Sequence, residues 1–202
     1  MIFHKHKLIC TGIPKNASSS VYDALKNNTD QEHNHITFFE EFTHNDADLL
    51  ESYISFAIVR NPYDRFISAC HQIKRDHPEE NGKLNINEII EQERPSQYDY
   101  CNDIFYPQYR FIALGNKVLV DEILKYETLD KDWEAFVKKY QNHFPFPNSI
   151  PTKLGFSNKS DDRKSWEEEL KGISEENFKL INETYARDFK LFNYKKITYD
   201  NL

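Results

Sequence analysis

LICTGIPKNASSSVYDAL, Leu8 to Leu25, runs from apolar residues through a Gly, a Lys and a set of hydroxyls into a helical pattern. Lys7 to Thr11 (KLICT) reads as a short buried strand that stops at Gly12 and Pro14. A helix is expected from about Ser18, with a Ser at the N-cap accepting a hydrogen bond from a backbone N–H. Val21, Leu25 and Tyr22 would form its buried stripe. A loop that leaves a strand and enters a helix aims several backbone N–H groups and the positive helix end at one point. Lys15 adds a full cation there, and Ser18, Ser19 and Ser20 add hydroxyl donors. The loop departs from GxxxxGK[ST], because Lys15 comes early and Ala17 stands where a second Gly would be expected. A tight turn with a solvated Lys and an ordinary Ser cap is the competing reading.

The second informative stretch is FAIVRNPYDRFISAC, Phe56 to Cys70. Ile54 to Val59 has the composition of a buried strand, stopped by Arg60, Asn61 and Pro62. Pro62 suits the first position of a helix running to about Arg75, with Phe66, Ile67 and Ala69 inward. A Mg-dependent phosphoryl-transfer enzyme holds its metal with an Asp at the corresponding strand. Arg60 is instead a fixed cation whose fork matches phosphate oxygens. Ser68, two turns into the helix, is placed to join it, whereas Arg65 reads as part of a structural ion pair. Further on, a strand is expected at Ile123 to Tyr126, with helices at about Asp130 to Gln141 and Ser174 to Arg187. Strands alternating with helices give an α/β sheet, mostly parallel, in a single domain over residues 1–202. Ligands of such sheets bind beyond the carboxyl ends of the strands, where Gly12–Ser20 and Arg60 both lie.

A formal net charge of −7 counts against a general nucleic-acid binder, although a local basic pocket is compatible with it. Cys10, Cys70 and Cys101 follow no disulfide or zinc spacing and read as reduced thiols. No apolar run approaches the roughly 18 residues of a membrane span. The expectation is a soluble cytoplasmic protein without stable membrane insertion.

Taken together, PKNASSS resembles the 5′-phosphosulfate loop of sulfotransferases that use 3′-phosphoadenosine 5′-phosphosulfate (PAPS). VRNPYDRFISA resembles their 3′-phosphate segment. The pattern is nearest to carbohydrate sulfotransferases, particularly the uronyl and heparan 2-O-sulfotransferases. This resemblance implies a P-loop NTPase-like, three-layer fold with a parallel sheet flanked by helices. It implies that Lys15 contacts the transferring sulfuryl group and leaving phosphate, while Asn16, Ala17, Ser18, Ser19 and Ser20 wrap the 5′-phosphate. Arg60 and Ser68 would bind the 3′-phosphate. HNHITFFEEF, His33 to Phe42, resembles the family's HxH-[VI]-[ST] stretch. It assigns the general base to His35 and a substrate-binding place to His33. His71, one turn after Ser68, is a second substrate-binding candidate and, with His44, a rival base.

IFYPQYRFI and VDEILKYETLDKDWEAF are similar to later family segments, with Ile104 near the place of a usual His. GFSNKSDDRKSW is similar to the closing loop, which makes Asn158, Lys159, Ser160 and Arg163 candidate nucleotide contacts. The implied reaction moves a sulfuryl group from PAPS to a hydroxyl, on a carbohydrate or other acceptor, leaving 3′-phosphoadenosine 5′-phosphate. No metal is expected, since Lys and Arg stand where Mg2+ acts in kinases. A small-molecule kinase and a catalytically silent PAPS-binding relative are the alternatives.

Overall fold

Near the N-terminus, Ile2–Phe3 (β1) and Leu8–Thr11 (β2) pair antiparallel, with Ile2 opposite Ile9 and Phe3 opposite Leu8. A 3-10 turn at His4–His6 and Lys7 in the left-handed region (φ 53°) reverse the chain between them. The computed structural model describes residues 1–26, 48, 51–93, 103–146, 148, 150–155 and 164–202. β2 pairs parallel with Ile54–Val59 (β3), Cys10 lying opposite Phe56. Ala113–Leu114 (β4) and Lys117–Val118 (β5) form a separate two-stranded ladder, turning at Gly115 with φ 58°. Glu122–Lys125 (β6) then pairs parallel with β3, so the main sheet has the order β1-β2-β3-β6.

The sheet is therefore mixed, not wholly parallel. Its departure from the expectation lies at β1, where the connection His4 to Lys7 is too short for a crossover. Parallel neighbours need about a dozen residues between them, so only an antiparallel return is open to this segment.

Two compact units make up the chain, one of Met1–Arg60 with Gln108–Lys159, the other of Asn61–Pro107 with Ser160–Leu202. In the first, alternation along β2 and β3 turns Leu8, Cys10, Phe56 and Ile58 toward one core. Ser18–Leu25 (α1) contributes Val21 and Leu25 to that core, and the helix Leu129–Tyr140 contributes Leu129, Trp133 and Phe136. Trp133 packs on Phe56 and Phe136, and its indole N–H donates to the Pro151 carbonyl at 2.8 Å.

The second unit is built on Pro62–Asp76 (α2), which matches the expected helix to within one residue. Pro62 gives up no intrahelical bond at the first position, and the Asn61 side chain accepts from the Tyr63 N–H at 3.0 Å. The helix stops before His77–Pro78, because a residue preceding Pro is disfavoured in helical geometry. Tyr63 is stacked by Trp166 and Phe178, and its hydroxyl donates to Asn182 Oδ1 at 2.6 Å while accepting from the Ile197 N–H at 3.0 Å. The single helix expected over Ser174 to Arg187 is instead two, Glu175–Thr184 and Ala186–Leu191. The break falls at Tyr185, a fully buried ring whose hydroxyl is held by the Phe105 carbonyl at 2.6 Å. Among the described residues no helix is long and apolar enough to cross a membrane.

Candidate active site

β2 delivers the Gly12–Ala17 loop directly into α1, as the strand–loop–helix reading requires. Two non-glycine residues in this loop have left-handed backbone, Lys15 with φ 67° and Ala17 with φ 61°. That conformation brings Cβ close to the following carbonyl and costs roughly 1–2 kcal/mol per residue. Ala17 occupies the helix N-cap, so the expected Ser cap is corrected: Ser18 is already the first helical residue. The reason is positional. Ala17 takes the αL turn that redirects the chain, and a methyl group cannot accept from the first-turn N–H groups.

Three other helix starts are capped by a side chain. Asn61, Ser165 and Ser174 each accept a first-turn N–H through the side chain, whereas Ala17 makes no such bond. In α1 the Ser20 N–H closes onto the Ala17 carbonyl at 3.0 Å, and no N-cap side chain competes with an anion at this helix start. Lys15 is half-buried, Ser18 and Ser20 are buried, and Ser19 between them is half-buried. Thr11, at the root of the loop, has a buried hydroxyl with no hydrogen-bond partner among the described residues.

Asn16 faces inward. Both hydrogens of its amide are engaged, donating to the Ile58 carbonyl at 2.8 Å and to Gln108 Oε1 at 2.6 Å. Its backbone N–H closes a turn onto the Ile13 carbonyl at 3.3 Å. What its side chain retains toward a ligand is an acceptor, Oδ1, which does not complement phosphate oxygen.

Arg60 follows β3 and reaches the same loop. Its Nη1 donates to the Lys15 carbonyl at 3.0 Å, and its guanidinium lies over the Tyr126 ring at 4.1 Å from the centroid. Stacking on an aromatic face orients the planar fork, and such contacts are worth about 0.5–2 kcal/mol. The ends of two adjacent parallel strands therefore present Lys15 and Arg60 in one unit, with the Arg60 charge held by the Lys15 carbonyl and the Tyr126 ring.

With this geometry in view, one comparison is decisive: a family model described as the sulfotransferase family matches residues 1–195. The chain belongs to the sulfotransferase family. No curated protein and no solved structure matches it. Membership carries the general chemistry of the family, transfer to a hydroxyl.

The donor set of this sulfotransferase-family chain fits an anionic nucleotide. It combines an ammonium, a guanidinium, serine hydroxyls, an uncapped helix start and the Thr11 hydroxyl at the loop's root. Among the described residues no group of three His, Cys, Asp or Glu is placed to hold a metal ion.

The remaining candidates belong to the second unit or lie outside the described residues. Ser68 is buried in α2, within the second unit. His71 is there too, and its Nε2 meets both carboxylate oxygens of Glu169, at 2.8 and 2.9 Å. That carboxylate accepts from the ring N–H, which leaves Nδ1 as the nitrogen through which His71 would handle a proton. Arg65 is buried in α2, and where an ion pair was expected its Nη2 donates to the Ile104 carbonyl at 3.0 Å. Cys70 is wholly buried, and burial first, then the neighbouring Glu169 charge, hold its thiol far above the usual range. It is a core residue. His33, His35, His44, Asn158, Lys159, Ser160 and Arg163 lie outside the described residues.

Two residues of the site carried no assigned role in the sequence, Gln108 and Tyr126. Gln108 is fully buried and bonded to both Asn16 and Arg60. Its one local sign was an uncharged polar residue inside the apolar run IFYPQYRFI. Tyr126 ends the strand-like ILKY stretch, where an aromatic reads as core.

Proposed function

We propose that this chain moves a sulfuryl group from PAPS to a hydroxyl of a carbohydrate or glycolipid by in-line displacement. The observation that carries this is the pairing of Lys15 and Arg60 at neighbouring strand ends, joined by the Arg60 Nη1–Lys15 carbonyl bond. Two separate cationic points suit a ligand with two anionic groups better than a single triphosphate chain with its metal. PAPS, when bound, supplies the sulfuryl group together with a phosphate leaving group.

The chain's own residues do the rest. Lys15 and the first-turn amides of α1 hold the 5′-phosphate and the charge that grows on it as the S–O bond breaks. Preorganised donors of this kind are the largest single contribution in many enzymes. Ser18, Ser19 and Ser20 add hydroxyl bonds, and Arg60 takes the 3′-phosphate. Asn16 serves by holding the loop in place. His35, assigned from the HxH resemblance, accepts the acceptor's hydroxyl proton, a task suited to an imidazole near neutral pKa.

Thermal denaturation tests the nucleotide assignment. 3′-Phosphoadenosine 5′-phosphate should raise Tm, since a ligand at 100 times its Kd adds about 2.7 kcal/mol to the native state. ATP with Mg2+ should not match that effect. An equal response to both, or a response to ATP alone, would return the chain to the kinase reading. For the base, His35→Ala should lower transfer about 10²–10⁴-fold while leaving the nucleotide-induced rise in Tm. Surviving activity in His35→Ala would shift the role to His71 and its Glu169-bound ring.

A further inference from the structure

Gln108 is fully buried beside the one-turn helix Tyr109–Ile112, and no step of the transfer uses its side chain. Its amide oxygen accepts from Asn16 Nδ2 at 2.6 Å and from the Arg60 N–H at 2.9 Å. Its Nε2 donates to the Arg60 carbonyl at 2.9 Å. Arg60 lies one residue beyond the paired register of β3, which ends with Val59 opposite Lys125. Gln108 thus gives the Arg60 backbone an acceptor and a donor, as a neighbouring strand would.

The same amide oxygen also holds the loop. Asn16 Nδ2 bridges Gln108 to the Ile58 carbonyl at 2.8 Å, and Arg60 Nη1 returns to the Lys15 carbonyl at 3.0 Å. Lys15, Asn16, Ile58, Arg60 and Gln108 therefore form a closed set of hydrogen bonds, with one buried amide at its centre. Such a group is hard to displace, because each partner would lose its bond in a low-dielectric setting. A plug that only filled space could be any apolar side chain of similar volume. Three bonds to the two segments carrying the site's cations specify more than volume.

We propose that Gln108 is a positioning residue: its amide fixes the span between the Lys15 loop and the Arg60 guanidinium. The site would thereby select nucleotides with both 5′- and 3′-phosphates over those with a 5′-phosphate alone. This rests on the assignment of Lys15 and Arg60 to the two phosphates made above.

Titration calorimetry with 3′-phosphoadenosine 5′-phosphate and with 5′-AMP tests it through the ratio of their affinities. Wild-type protein should favour the bisphosphate. Gln108→Met keeps the side-chain volume and removes all three bonds, and it should cut that preference about ten-fold or more, the scale of one charge-assisted hydrogen bond. The 5′-AMP affinity should change much less. Asn16→Ala, which leaves the Gln108–Arg60 bonds in place, should move the ratio the same way, and it decides the matter if Gln108→Met lacks a cooperative melting transition. A loss of Tm with the ratio kept in the folded variants would overturn the proposal and leave Gln108 as a core residue. A wild-type protein without preference for the bisphosphate would overturn the cofactor assignment itself, and it is seen before any substitution is made.

Discussion

Lys15→Ala is expected to lower kcat about 10²–10³-fold, the usual cost of removing one preorganised charge contact, with a melting temperature close to wild type. The two halves of that result have separate causes. Lys15 lies in a loop with left-handed backbone (φ 67°), and Ala keeps the same Cβ and therefore the same strain. Its side chain is half-buried and belongs to neither core, so truncation opens no large cavity. The structural bond at this position is made by the Lys15 carbonyl to Arg60, which substitution does not remove. What disappears is the ammonium. If it acts chiefly on charge developing at the leaving phosphate, kcat falls while KM moves little. A rise in KM with kcat unchanged would instead assign Lys15 to ground-state binding. Steady-state kinetics on the purified variant, with a melting curve beside it, separates the two.

Trp133→Ala should destabilise the protein by about 3–5 kcal/mol, the range for truncating a large buried aromatic. Trp133 is 0% exposed, with ring centroids 5.7 Å from Phe56 and 5.6 Å from Phe136. Phe56 lies on β3, the strand that leads into Arg60, so the cavity would open in the core that supports that strand. The Pro151 carbonyl would also lose its donor. Trp133→Phe should cost distinctly less, since it keeps an aromatic in the cavity and loses mainly the indole bond and some area. Urea unfolding followed by circular dichroism measures both. A loss below about 1 kcal/mol for Trp133→Ala would mean that the core collapses onto the gap far better than buried sites commonly do.

The elements that were legible in the sequence are those whose cause is local. KLICT and ISFAIV are apolar runs bounded by Gly or Pro, and they form β2 and β3 within a residue of their expected ends. α2 was readable because Pro62 suits a first helical position directly after a strand stop, and the Asn61 cap beside it came from the structure. The break at Tyr185 was not readable, because the Ser174–Arg187 pattern is amphipathic throughout. A buried hydroxyl bonded to Phe105, far away in the chain, marks the place.

The same division runs through the site. By itself the sequence determined that a Lys-bearing loop and an Arg would follow two parallel strands, because each strand–loop–helix unit is encoded within a few consecutive residues. Only the tertiary structure decided how those units are joined. Ala17, not Ser18, takes the cap, since the choice depends on where the backbone must turn left-handed to enter α1. Gln108 reaches Asn16 across 92 residues of chain, a contact that leaves no periodicity and no spacing to read. Tyr126 lies under Arg60 for the same reason. Charge type and strand order are written locally, whereas the distance between two cations is set by buried hydrogen bonds between remote segments.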